Sequence, residues 1–183
     1  MTPRTHDVTP RNHESEPEAM TTPSPALDAF ENALQSLVGR PCWHVLAGAV
    51  GSLASLDVGA KVERDQPMPF RNKGIALEAH KYRGEFVLYI EDCPWRLDGP
   101  EAVIATWTDS NAPNGPIVQG LQRLAGQTIT RVELTRPGLD LALHLADGHV
   151  LRIFPDQAIP MKATITPWTY TTALRISWGH AVS

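Results

Sequence analysis

The feature that most constrains this chain is that its landmarks occur twice, in the same order. Leu34 to Gly39 reads LQSLVG and Leu121 to Gly126 reads LQRLAG, an offset of 87 residues. At that offset Val45 answers to Val132, Gly51 to Gly138, Leu56 to Leu143 and Val58 to Leu145. After an insertion in the first half the match resumes: VLYIED (Val87 to Asp92) stands beside VLRIFPD (Val150 to Asp156), Pro94-Trp95 beside Pro167-Trp168, and VIATW ending at Trp107 beside LRISW ending at Trp178. A self-match of this kind predicts a structural unit used twice. Positions alike in both halves are then expected to serve the fold, and positions that differ are where function can reside.

The unit follows from residue patterning. Leu139, Leu141, Leu143 and Leu145 alternate with Asp140, Ala142 and His144, the period of two of a strand with one buried face. Asp147-Gly148 marks a hairpin. A two-residue turn would set Leu143 opposite Arg152 and spoil the apolar face. A three-residue loop, Ala146 to Gly148 with glycine left-handed, sets Leu143 opposite Leu151 and Leu141 opposite Ile153, and is the expected register.

Residues 1–25 hold five prolines and almost no large apolar side chains, so they cannot bury enough surface to offset the entropy of ordering. A disordered tail is expected, with Met1 or Met20 as the start. Leu27, Phe30, Leu34 and Leu37 lie at helical spacing, with Ser24-Pro25 as the start and Gly39 as the stop. Ile117 to Ala125 predicts the matching helix. Strands are expected near 42–46, 52–58, 85–91 and 102–107, and near 128–135, 139–145, 150–154 and 170–178. The fold class is therefore α+β: two tandem copies of a helix followed by an antiparallel meander, related by a pseudo-twofold axis. The copies are 26–108 and 117–183, joined by the linker DSNAPNGP at 109–116. Residues 60–83 are an insertion with no counterpart. It carries a net charge of plus three, and Ile75, Leu77 and Ala79 alternate as in an added edge strand.

Composition narrows the function. A folded body of about 155 residues buries roughly 70% of its unfolded surface, enough for a core without staples. A formal charge of −4 offers no basic excess for phosphate backbones, which argues against nucleic-acid binding. The apolar run Val45 to Val50 is too short to span a bilayer, and the tail lacks the apolar region of a signal peptide. A cytoplasmic protein is expected, with Cys42 and Cys93 as reduced thiols.

Few residues suggest chemistry. Cys42 and His44 sit two apart on one expected strand, hence on one face, and a thiol beside imidazole can be an activated nucleophile. A buried cysteine with a surface histidine is the preferred reading. His144, Asp147 and His149 cluster at the hairpin, but the turn accounts for Asp147 and the register points the histidines to opposite faces, so no metal is expected. Gly48 to Ser52 lacks the lysine of a phosphate loop and reads as a tight turn. Trp95, Trp107, Trp168 and Trp178 recur in both halves and are expected in packing or at a sheet edge. Trp43 has Thr130 as its equivalent. It is either a binding anchor or packed beneath the insertion, and Arg64, Phe70, Arg71, Tyr82 and Arg83 share that choice.

The succession of LxG, a Val- or Leu-rich strand, DGxxLxI and a Pro-Trp step over Leu34 to Trp178 resembles a class of small, uncharacterised bacterial domains, many of which look like immunity proteins that neutralise a toxin by binding it. The resemblance implies a non-enzymatic, cofactor-free module that occludes a partner protein, and it carries over no site residue. The alternatives are a small-ligand sensor with a pocket at the seam between the copies and, behind it, an enzyme using Cys42. Exposed sheet edges would also suit a homodimer.

Overall fold

The computed structural model describes residues 25–47, 53–67, 77–91, 93–136, 138–155, 162–168 and 171–177. The tail to residue 24, the Gly48 to Ser52 turn, Phe70, Arg71, Ile75 and Trp178 lie outside them. The helical spacing of Phe30, Leu34 and Leu37 yields helix α1 (Pro25–Gln35), prolonged by a tighter turn in which Leu37 and Val38 N–H donate to Leu34 and Gln35 carbonyls. Its counterpart is α3 (Pro116–Gln122). The strands are β1 (Pro41–Ala47), β2 (Ala54–Glu63), β3 (Tyr82–Glu91), β4 (Trp95–Asp98), β5 (Val103–Thr106), β6 (Gln127–Thr135), β7 (Asp140–Leu145), β8 (Val150–Ile153), β9 (Lys162–Trp168) and β10 (Thr171–Ser177). A short helix, α2 (Leu77–Lys81), leads into β3.

Among the described residues all ten strands join one sheet, in the order β5-β4-β8-β7-β6-β1-β2-β3-β10-β9. The centre is the β1–β6 pair, from which β2 and β3 lead outward on one side and β7 and β8 on the other. The closing strands then exchange sides. The hairpin β4–β5, from the first half of the chain, pairs with β8, whereas β10, from the second half, pairs with β3. Neither half therefore completes a sheet alone. The expected antiparallel meander needs correcting here, since β10 runs parallel to β3. Two strands, β4 and β9, were also not expected. The Pro-Trp match is not an equivalence of place: Trp95 opens β4 while Trp168 closes β9.

The β1–β6 pairing itself is short, with only Pro41 opposite Thr128 and Cys42 opposite Gln127. Reciprocal bonds extend it. Gly39 N–H donates to Ile129 O (2.8 Å), and Gly126 N–H to Cys42 O (2.6 Å). Gln35 Nε2 donates to Val132 O (3.2 Å), and Gln122 Nε2 to Val45 O (3.0 Å). In both exchanges the donors stand 87 residues apart, as do the acceptors. Gly39 and Gly126 have φ of 81° and 88°, the left-handed conformation that ends a helix and turns its last N–H toward the neighbouring strand. A bulge follows in each central strand, between Cys42 and His44 in β1 and between Ile129 and Arg131 in β6.

Helix α3 lies against β1 and also against β5, at the far edge of its wing, and α1 lies against β6, β9 and β10. Each wing thus curls around one helix. The enclosed side chains form one core, with Phe30, Leu34, Ile117 and Leu121 from the helices and Leu56, Leu88, Trp95, Leu97, Leu143, Leu151 and Ile153 from the strands. The β7–β8 register is the expected one, Leu143 opposite Leu151 and Leu141 opposite Ile153, with Gly148 at φ 87°. Leu139 is not in the strand: it sits in the preceding turn at φ 56°. Trp95 is buried in the core, while Trp107 is exposed just past β5.

Because each glutamine bridges the seam to a backbone carbonyl, Gln35→Ala and Gln122→Ala are each expected to lower unfolding free energy by about 1 kcal/mol. Urea denaturation monitored by circular dichroism is the check, with losses of similar size at the two positions.

Candidate functional site

The most distinctive side-chain constellation lies where β1 meets β2, on the side of the sheet away from α1 and α3. The bulge sets two residues of β1, Trp43 and His44, against one of β2, Asp57. This breaks the alternation on which the sequence reading placed Cys42 and His44 on one face. Cys42 pairs with Val58 and enters the core, whereas His44 pairs with Asp57 on the other side. The two groups expected to share a face are separated by the extra residue.

His44 Nδ1 and Asp57 Oδ2 are 2.8 Å apart, and the other oxygen, Oδ1, accepts the Gly84 N–H at 2.7 Å. Asp57 is only 3% exposed. A carboxylate so placed needs both partners, because an uncompensated buried charge is costly. Gly84 permits the arrangement, since a Cβ there would run into the backbone of Val58 and Phe86. The pair has the form in which a carboxylate orients an imidazole, but the Cys42 thiol does not face that imidazole. It donates instead to the His44 backbone carbonyl at 3.7 Å. Burial, and secondarily the Asp57 charge, push its pKa up to about 12, so the thiolate is not formed near neutrality.

Beside this pair the Trp43 ring lies 5.6 Å from the His44 ring. Lys61 Nζ stands 5.1 Å over the indole and also binds Glu78 of α2 at 2.7 Å. The indole Nε1 is buried and has no acceptor among the described residues. The insertion therefore wraps back over Trp43 by way of Lys61 and α2. Its backbone differs from the expectation: Leu77 and Ala79 belong to a helical turn, not an edge strand. Arg64 ties this turn down: its Nε donates to the carbonyls of Ala79 in α2 and of Tyr82 at the start of β3, at 3.2 and 3.0 Å. β2 and β3 instead lengthen into the insertion, with Lys61 opposite Gly84 and Glu63 opposite Tyr82.

Of the residues singled out from sequence, the structure thus brings Trp43 and Arg64 to the two ends of one corner. Tyr82 is half-buried beneath Lys81, whose Nζ is 5.2 Å from the ring centre. Arg83 is 8% exposed and belongs to the interior of the corner. Sequence reasoning passed over Asp57, Lys61 and Gly84. Asp57 did leave a signal, a lone charge between Leu56 and Val58 whose counterpart is His144. At the hairpin, His144 pairs with Glu133 and His149 with Asp147. Among the described residues no three metal-ligating side chains converge, and no helix is long and apolar enough to cross a membrane.

Both cysteines are about 1% exposed or less. In the native protein at pH 8 neither is expected to react with a thiol-specific chromogen within minutes, and both react on unfolding in guanidinium. Fast labelling of Cys42 would restore the nucleophile reading. The chain matches no protein-family model, no curated protein and no solved structure, so its function is to be read from its own geometry.

Proposed function

We propose that this protein is a non-enzymatic protein-binding module, of the immunity or antitoxin kind, that acts by occluding a partner, and that it is built from a duplicated unit. The observation that carries the binding reading is Trp43. It stands in only one half of the chain, at a bulge that holds its ring in place beneath Lys61, and its indole N–H has no acceptor among the described residues. A half-buried tryptophan anchored on a rigid strand beneath a charged rim has the makeup of an interface hot spot. Lys61, over the ring, and Glu78, paired with it, supply that rim. Duplication is supported by the reciprocity at the seam: equivalent glutamines, glycines and bulges recur at the same offset.

The small-ligand reading gains nothing at the seam. The space between the central strands is taken by Cys42, Val45, Ile129 and Val132, all buried, with the glutamine amides across it. An enzyme built on Cys42 is disfavoured by its buried, high-pKa thiol.

The test is a stoichiometric complex, isolated with the tagged full chain from native cells and then reconstituted from purified components. Trp43→Ala is expected to weaken it at least tenfold, about 1.4 kcal/mol, with the thermal midpoint little changed. Trp43→Phe, which keeps a smaller ring, should fall between. Equal affinity for all three proteins would refute the anchor.

A further inference from the structure

The second wing carries a surface unlike the Trp43 corner. On the face of β4, β6, β7 and β8 turned away from α3, six charged or titratable side chains form two adjoining rows. The strand register sets Arg131, His144 and Asp98 in one row and Glu133, Arg152 and Arg96 in the other. Asp98 lies between two arginines: Oδ1 accepts Arg96 Nε at 2.6 Å, and Oδ2 accepts Arg152 Nε at 2.8 Å and Arg96 NH2 at 3.1 Å. Glu133 likewise lies between Arg131 NH1 (2.6 Å) and His144 Nε2 (3.0 Å). Burial raises the Asp98 pKa, but bonds and charge from Arg96 and Arg152 outweigh it and hold the carboxyl below its ordinary range.

Arg96 and Arg152 are directly opposed on neighbouring strands, and Asp98, bonded to both, offsets the repulsion that like charges so placed would otherwise carry. Every full cation of the patch is arginine, the residue whose planar fork takes carboxylates two bonds at a time. The patch is net positive, three guanidiniums against two carboxylates, in a chain of formal charge −4. Arg152 is 38% exposed along its side chain and is hydrogen-bonded through Nε alone among the described residues, while its charge also acts on Glu133. Arg96 is its neighbour on β4 at 43% exposure, and Arg131, in the adjoining row on β6, is 60% exposed.

We infer that this face is a second docking surface, distinct from the Trp43 corner, which takes an acidic, Asp- or Glu-rich segment of a partner protein through the terminal nitrogens of Arg152, with Arg96 beside it and Arg131 in the adjoining row. A nucleic acid fits less well. Phe154, beneath Arg96 at 5.9 Å, is the one aromatic ring the described contacts bring to the rows, where single strands need successive stacking platforms.

The experiment is fluorescence anisotropy on the full chain at low salt, with a labelled ten-residue alternating Glu-Asp peptide and, in parallel, a ten-nucleotide oligothymidylate. Saturable peptide binding is expected, tighter than oligonucleotide binding. Arg152→Gln should weaken it about tenfold and Arg152→Lys severalfold, because lysine keeps the charge and loses the fork. Trp43→Ala should leave it unchanged, which separates this surface from the proposed anchor. Circular dichroism of each variant establishes that it is folded, and Arg131→Gln replaces Arg152→Gln if the latter is not. Absence of peptide binding, tighter binding of the oligonucleotide, or indifference to both arginine substitutions would overturn the inference.

Discussion

The sheet depends on a seam that strand pairing barely makes. β1 and β6 share two paired positions before they diverge, too few to hold two five-stranded wings in one sheet. What extends the contact comes from the helix ends: the N–H of a left-handed glycine and the amide of a glutamine, supplied by each half to a carbonyl of the other. These bonds fall next to buried Cys42, Val45, Ile129 and Val132, where an unpaired backbone group is costly. Helix termination and wing association are therefore one interaction. The exchanged closing strands reinforce it, since β4 and β10 each find their partner in the opposite half of the chain.

Upon that shared frame the two wings carry different chemistry at the same places. The position after each bulge faces the same cross-strand neighbour, giving His44 with Asp57 in one wing and Arg131 with His144 in the other. In the first wing Asp57 is buried and His44 nearly so, and the strand segment Ala54 to Gly59 is buried on both faces. In the second wing the corresponding face carries exposed arginines. A buried carboxylate must be satisfied internally, and Gly84 and His44 satisfy Asp57. An exposed arginine can leave donors for a partner. The difference between the two faces thus lies in burial: one pair is enclosed, and the other side chains reach solvent.

Trp43 shows how local irregularity positions a side chain. In a regular strand Trp43 and His44 would point to opposite faces. The bulge gives β1 one residue more than β2, brings the two rings within 5.6 Å and leaves Trp43 beneath Lys61. The same bulge takes the Cys42 thiol into the core, where burial raises its pKa and removes it from nucleophilic chemistry.

Much of the local architecture was determined by the sequence itself. The apolar spacing of Phe30, Leu34 and Leu37, the glycines at 39 and 126, and the Asp147-Gly148 hairpin with its register all follow from backbone sterics and burial periodicity, which act over a few residues. The recurrence of Gln35 as Gln122 and Val45 as Val132 was visible too, though not that each glutamine would reach the other's valine. Only the tertiary structure decided the crossing of the closing strands, the parallel β3–β10 pair, the bulge that separates Cys42 from His44 and the helical turn at Leu77–Lys81. The physical reason is range. The pairings β3–β10 and β4–β8 join strands far apart in the chain, and α2 is held by Arg64, a residue more than ten positions away. The gathering of Arg96, Arg131 and Arg152 on one face belongs to the same class, since those residues come from three strands that meet only in the folded sheet.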